Sequence, residues 1–167
     1  MTLVLAAFPT VVCCAGESIR DEKREVRQFV QSFYDWYVPE STRTHNFGKL
    51  IKNHRASFTP QLAKALIEDN VAQSKGRGEL VGLDFEPFTS SQDPCEKYLA
   101  GSVRNRANRY RVDIFSICDG KRSEKPELVA ELTRVNDRLV FANFRYENGA
   151  DLIGILHSLA NERNIKK

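Results

Sequence analysis

A cysteine pair and a run of arginines are the residues whose types and spacing point first to chemistry. Leaving aside Cys13 and Cys14 near the N-terminus, the chain contains Cys95 and Cys118. Cys95 precedes a strand expected over residues 97–103, and Cys118 ends the next one, so a hairpin would bring the thiols together. In an oxidising compartment an even cysteine count reads as a bridge. Closing a loop of that size stabilises by roughly 3 kcal/mol in the chain-entropy model; the alternative is two separate buried thiols. Arg104, Arg106, Arg109 and Arg111 span the same hairpin, and Lys121, Arg122 and Lys125 follow in the next turn. Together they could form one positive end of the molecule, suited to an acidic protein partner or anionic envelope polymers. The plainer reading is a hairpin kept soluble by its edge charges.

Other chemistries find little support. His45, His54 and His157 lie far apart in different elements, so no metal site is expected. There is no Gly-x-Ser-x-Gly, phosphate loop or dinucleotide fingerprint, and no cofactor is implied. A net charge of +3 is too mild for a dedicated nucleic-acid binder. With 41% apolar and 28% charged residues over 167 positions, the composition is that of one soluble domain with a sizeable core.

The elements that must position these residues can be read in order. Residues 1–15 carry no charge and end in small residues, reading as a secretory signal cleaved after Ala15 or as a lipoprotein signal anchored through Cys13 or Cys14. A buried N-terminal strand is the plainer alternative. Residues 16–167 then form one domain. Ser18 and Asp21 resemble a capping pair opening a helix over residues 19–38, with Val26, Phe29, Val30 and Phe33 on one face and Pro39 as its stop. A polar loop over residues 40–46 leads to a short turn with Phe47, Leu50 and Ile51 inward. Thr59-Pro60 is a helix start, and Gly76 and Gly78 end that helix. Pro87 and Pro94 exclude a regular element across Leu83, Phe85 and Phe88.

Period-2 alternation then dominates. Tyr110, Val112 and Ile114 alternate with Arg109, Arg111 and Asp113, and Leu128, Ala130 and Leu132 with Val129, Glu131 and Thr133. Asn136-Asp137 suits a two-residue hairpin turn. In the last strand Val140, Ala142 and Phe144 should face one way, and Leu139 and Phe141 the other. Asp151 caps a final helix with Leu152, Ile155, Leu156 and Leu159 as its stripe, and the tail after Leu159 should fray. The fold class is α+β: N-terminal helices packed on a curved antiparallel sheet, with a C-terminal helix.

The aromatic stretch Phe29-Val-Gln-Ser-Phe-Tyr-Asp-Trp-Tyr37, the segment Asp84-Phe-Glu-Pro-Phe88 leading to Ser91-Gln-Asp93, and Val140-Phe-Ala-Asn-Phe144 together resemble a group of small exported bacterial proteins. The domain of that group has no assigned function and is similar to the cone-shaped nuclear-transport-factor-2-like (cystatin-like) fold. The superfamily includes isomerases, dehydratases, dimerisation modules and immunity proteins against secreted toxins, so fold does not choose among them. An enzyme on such a cone would place a carboxylate base and a phenol donor in the pocket between helices and sheet. The candidates are Asp35, Asp84, Tyr34, Tyr98 and Tyr110, which are otherwise core-edge and surface groups.

The function expected from these residues is an exported, periplasmic, non-enzymatic domain that binds a protein. An inhibitor or immunity protein against a secreted toxin or wall-degrading enzyme would fit. Its docking residues would be Arg104, Arg106, Arg109, Arg111, Lys121 and Arg122. A small-molecule enzyme or carrier using the cone pocket is the first alternative, and a self-associating, homodimeric envelope component the second. Contact with a membrane is expected only through an N-terminal lipid.

Overall fold

The computed structural model describes residues 14–44, 47–76, 81–107 and 109–165. The export-signal reading rests on residues 1–15, of which 1–13 lie outside that set. Helix α1 (Cys14–Thr44) is followed by α2 (Phe47–Asn53), a 3₁₀ turn (Arg55–Ser57) and α3 (Pro60–Lys75). Then come strands β1 (Lys97–Arg106), β2 (Arg109–Cys118), β3 (Lys121–Arg122), β4 (Leu128–Val135) and β5 (Arg138–Tyr146), and last α4 (Leu152–Ile165). The class is α+β, with an antiparallel sheet ordered β1-β2-β4-β5 and β3 paired to the end of β2. Among the described residues no helix is long and apolar enough to cross a membrane.

Local chemistry explains several boundaries. The Thr59 hydroxyl accepts from the Leu62 N–H at 3.3 Å, and Pro60 occupies the first helical position of α3. Asn136 and Asp137 take φ of +50° and +60°, the left-handed pair that a tight β4–β5 hairpin demands. Asp151 accepts from the Gly154 N–H at 3.0 Å and so caps α4.

Helix α1 departs from expectation at both ends. It is already running at Cys14, so Ser18 is no cap, and Asp21 pairs with Arg24 at 2.7 Å. Pro39 lies inside the helix rather than ending it. A proline removes one helical hydrogen bond and crowds the preceding turn, but the polar residues after it are held by side-chain bonds. Ser41 and Thr42 hydroxyls donate to the Val38 carbonyl at 2.9 and 3.1 Å, Thr44 donates to Glu40 O at 3.0 Å, and Arg43 pairs with Glu40.

Strand β5 corrects the simple alternation. Glu131 faces Asn143 while Leu132 faces Phe141, so Ala142 is an extra residue opposite no partner, a β-bulge. The bulge turns Phe141 and Phe144 to the same side, with ring centroids 5.2 Å apart, and Leu139 and Tyr146 join them in the core. A second irregularity lies in β1 between Ala100 and Val103, where a Cβ on Gly101 would come within 2.6 Å of the Phe115 ring.

Each sheet edge is partly covered. Along β1, the Gln31 amide of α1 accepts from the Ala100 N–H at 2.9 Å and donates to the Tyr98 carbonyl at 3.0 Å, as a neighbouring strand would. Along β5, the Thr59 N–H donates to Phe141 O at 2.8 Å, and Tyr146 N–H donates to Ala150 O at 3.0 Å. Unpaired edges invite strand addition, so this cover disfavours edge-to-edge association.

Two long-range ties complete the frame. Cys95 and Cys118 are paired as a disulfide, Cα–Cα 4.9 Å, joining the start of β1 to the end of β2. Asp69 on α3, 3% exposed, receives Arg163 of α4 at 2.5 Å and the Leu83 N–H at 2.9 Å, while Arg163 also donates to Val81 O at 2.7 Å. The end of α4 is therefore tied down as far as Arg163, where the sequence suggested fraying.

Removing the disulfide with Cys95→Ala/Cys118→Ala should lower unfolding free energy by about 3 kcal/mol, read by urea denaturation. Asp69→Ala should lower it by about 3 kcal/mol, because Arg163 and the Leu83 N–H lose a buried acceptor; an unchanged urea midpoint would contradict this.

Candidate functional site

The space between helices and sheet is filled by rings. Phe88, fully buried, meets Phe33, Tyr37, Phe58 and Phe144 with centroids 4.9–5.5 Å away. Three phenols hold the segment that carries it. Tyr34 donates to Phe88 O at 2.7 Å, Tyr146 donates to Pro87 O at 3.0 Å, and Tyr37 bonds the Glu86 carboxylate through Oε1. The loop closes on itself through Glu86 N–H to Ser91 O at 3.1 Å and Ser90 N–H to Glu86 O at 2.9 Å. Burial pushes the Tyr34, Tyr37 and Tyr146 phenols up, so they remain donors. Burial also raises the Glu86 carboxyl above its ordinary range, outweighing the opposite pull of the Tyr37 hydrogen bond.

The residues proposed for a catalytic pocket do not converge there. Tyr34 is committed to a backbone carbonyl inside the core. Asp35 is exposed, accepts from Gln31 at 2.8 Å, and borders with Tyr34 and Tyr98 a shallow groove outside the α1–β1 contact. Tyr98 stacks on Tyr34 at 5.6 Å, and its hydroxyl accepts the Cys95 N–H at 3.2 Å. Tyr110 donates to Glu22 at 2.5 Å, at the far end of the sheet. Asp84 is exposed beside a recess of about 480 Å³ that Glu86, Phe47, Asp69 and Gln73 also line. The carboxylate–phenol pair beside the ring-filled core is Glu86–Tyr37. Sequence reasoning passed over Glu86 because nothing in Phe-Glu-Pro-Phe tells that its side chain turns toward α1.

The arginines lie on the opposite face of the sheet. Arg106 pairs across strands with Arg109, and Arg104 with Arg111; the rows continue to Thr133 and Glu131 on β4. These residues line a groove of about 730 Å³ with Gln61, Asn143 and Arg145. Arg104 forms a two-point contact with Asp113 at 2.5 and 2.9 Å. Glu131 Oε1 takes both Arg111 at 2.8 Å and Arg145 at 2.7 Å. Among the described residues Arg106 and Arg109 have no acidic partner. Like charges directly opposite destabilise a strand pair, and here that repulsion is left standing at the hairpin tip. The sequence did not mark Arg145 as part of this face; the β5 bulge sets it opposite Val129, diagonal to Glu131.

The basic residues do not gather into the single positive end anticipated. Lys121 and Arg122 pair with Cys118 and Ile117, at the other end of β2 from Arg109 and roughly 30 Å away at strand rise. Arg122 stacks over the Phe115 ring at 3.6 Å, and Lys125 reaches toward Glu147. Among the described residues no group of His, Cys, Asp and Glu could hold a metal ion.

Because Glu86 is more readily protonated in the folded than in the unfolded chain, its contribution favours folding at low pH. That contribution is lost as pH rises from the ordinary carboxylate range through the raised folded value. Glu86→Gln should remove this loss. The melting temperature of the variant should therefore gain on the native protein as pH rises to neutrality; parallel curves would refute the assignment.

Comparison of the chain with protein-family models, with curated proteins and with solved structures finds no match.

Proposed function

We propose that this chain is an exported, non-enzymatic protein-binding domain that docks an acidic surface of its partner on the arginine face of the sheet. The observation that carries this is the unneutralised Arg106–Arg109 pair beside a groove, facing away from a core filled with side chains. Guanidinium forks suit carboxylates, which they can hold by two parallel hydrogen bonds. The disulfide is compatible with an oxidising compartment. An inhibitor or immunity protein for a secreted toxin or wall-degrading enzyme is the role such a compact binder would fill. The order of helices, sheet and last helix is in keeping with a nuclear-transport-factor-2-like cone whose interior is solid. Self-association through the outer face of the sheet is the weaker reading, because unneutralised arginines on that face repel those of a second copy.

A second reading draws on Glu86, a raised carboxyl at the recess that Asp84 borders, held from the core side by the buried Tyr37 phenol. A small-molecule ligand whose binding is abolished by Glu86→Gln would favour it over docking.

The docking reading is tested by affinity capture from envelope and secreted extracts with the oxidised protein, the Arg106→Glu/Arg109→Glu variant, and Lys64→Glu as a control on α3. A stoichiometric partner should be retained by the native protein and the control and lost by the double variant, its affinity falling about tenfold or more. A hydrolytic activity silenced on binding would identify the inhibitor role. Equal capture by all three proteins would remove the arginine face as the docking surface.

A further inference from the structure

Resting on that docking reading, we propose that the part of the partner entering the groove is an extended acidic segment with carboxylates on alternate residues. The pleat sets the spacing. Arg104 and Arg106, and likewise Arg109 and Arg111, are two residues apart on their strands. The two rows are therefore separated by about 6.7 Å. An extended peptide places every second side chain on one face at the same interval, about 6.7 Å. One carboxylate would bridge the Arg106–Arg109 pair, relieving the cross-strand repulsion. The next would meet Arg104 and Arg111, which keep more than half of their side-chain surface exposed despite their contacts with Asp113 and Glu131.

The rest of the lining favours a peptide over a continuous phosphate polymer. Glu131 sits between Arg111 and Arg145 on the groove floor, and Asp113 lies one row further along. A long polymer charged at every unit would run on past the arginine rows toward Asp113, whereas a peptide with two alternate carboxylates need not extend beyond the Arg104–Arg111 row. Thr133, Asn143 and Gln61 can exchange hydrogen bonds with its amides. Thr59 and Gln61, at the start of α3, form the rim. The first turn of α3 holds no acid, so the positive end of its dipole adds to the attraction.

The test is fluorescence anisotropy on the oxidised full chain, with dye-labelled Ser-Glu-Ser-Glu-Ser-Ser and its isomer Ser-Glu-Glu-Ser-Ser-Ser, whose carboxylates are adjacent, and inorganic polyphosphate as competitor. The alternating peptide should bind roughly fivefold more tightly than the isomer, the upper end for one exposed ion pair. Arg106→Gln and Arg109→Gln should each lose a similar factor, and Arg109→Lys less, with melting temperatures not lowered, since the Gln variants also remove the cross-strand repulsion. Equal affinity for the two isomers, preference for polyphosphate, or binding indifferent to Arg106 and Arg109 would each overturn the inference. If a captured partner still requires Arg106 and Arg109, the docking reading stands without it; if capture is indifferent to them, the docking reading falls as well.

Discussion

The structure depends on the anchoring of Phe88. Residues 86–88 cross the interior in no regular element, so their carbonyls need partners supplied from elsewhere. Tyr34 and Tyr37 come from α1 and Tyr146 from β5, and their hydroxyls take the Phe88 and Pro87 carbonyls and the Glu86 carboxylate. With those bonds made, the Phe88 ring can seat among Phe33, Phe58 and Phe144. Helix, loop and sheet are thereby joined through one side chain. A tyrosine suits this role because its ring packs like phenylalanine while its hydroxyl reaches a buried acceptor.

That filled interior directs attention outward. Strand alternation puts Tyr110, Val112 and Ile114 against the helices, and the same alternation places Arg109, Arg111 and Asp113 on the other face. The outer face is a ladder of ion pairs in which Asp113 and Glu131 neutralise the second arginine row and leave the tip row alone. Gly101 contributes by letting the Phe115 ring lie against the β1 backbone, where Arg122 stacks on it. Core and candidate docking face are two readouts of one periodicity.

The bulge at Ala142 shows how a single extra residue redistributes roles. It brings Phe144 to the side of Phe141 in the core and sets Asn143 opposite Glu131. Asn143 then accepts the Phe144 and Ile153 N–H groups and donates to Asp151 at 2.7 Å, fastening the start of α4 to the sheet edge. The irregular position in β5 is thus also the joint between sheet and last helix.

The sequence alone determined what depends on neighbours in the chain. The Thr59-Pro60 start, the Asn136-Asp137 turn, the Asp151 cap and the strand periods are local, and each was legible because a few adjacent residues decide it. The Cys95–Cys118 pairing was legible too, since one hairpin relates the two. Tertiary structure decided the rest. Whether Pro39 ends α1 turned on side-chain bonds that hold the following turn, and whether α4 frays turned on Asp69, a residue 94 positions from Arg163. The burial of Glu86 against Tyr37, and the neutralisation of Arg104 but not Arg106, arise between residues distant in sequence or differently placed on the sheet. Propensity and spacing describe what a segment can do alone; which polar groups meet is set by packing, where an unpartnered buried group is too costly to leave.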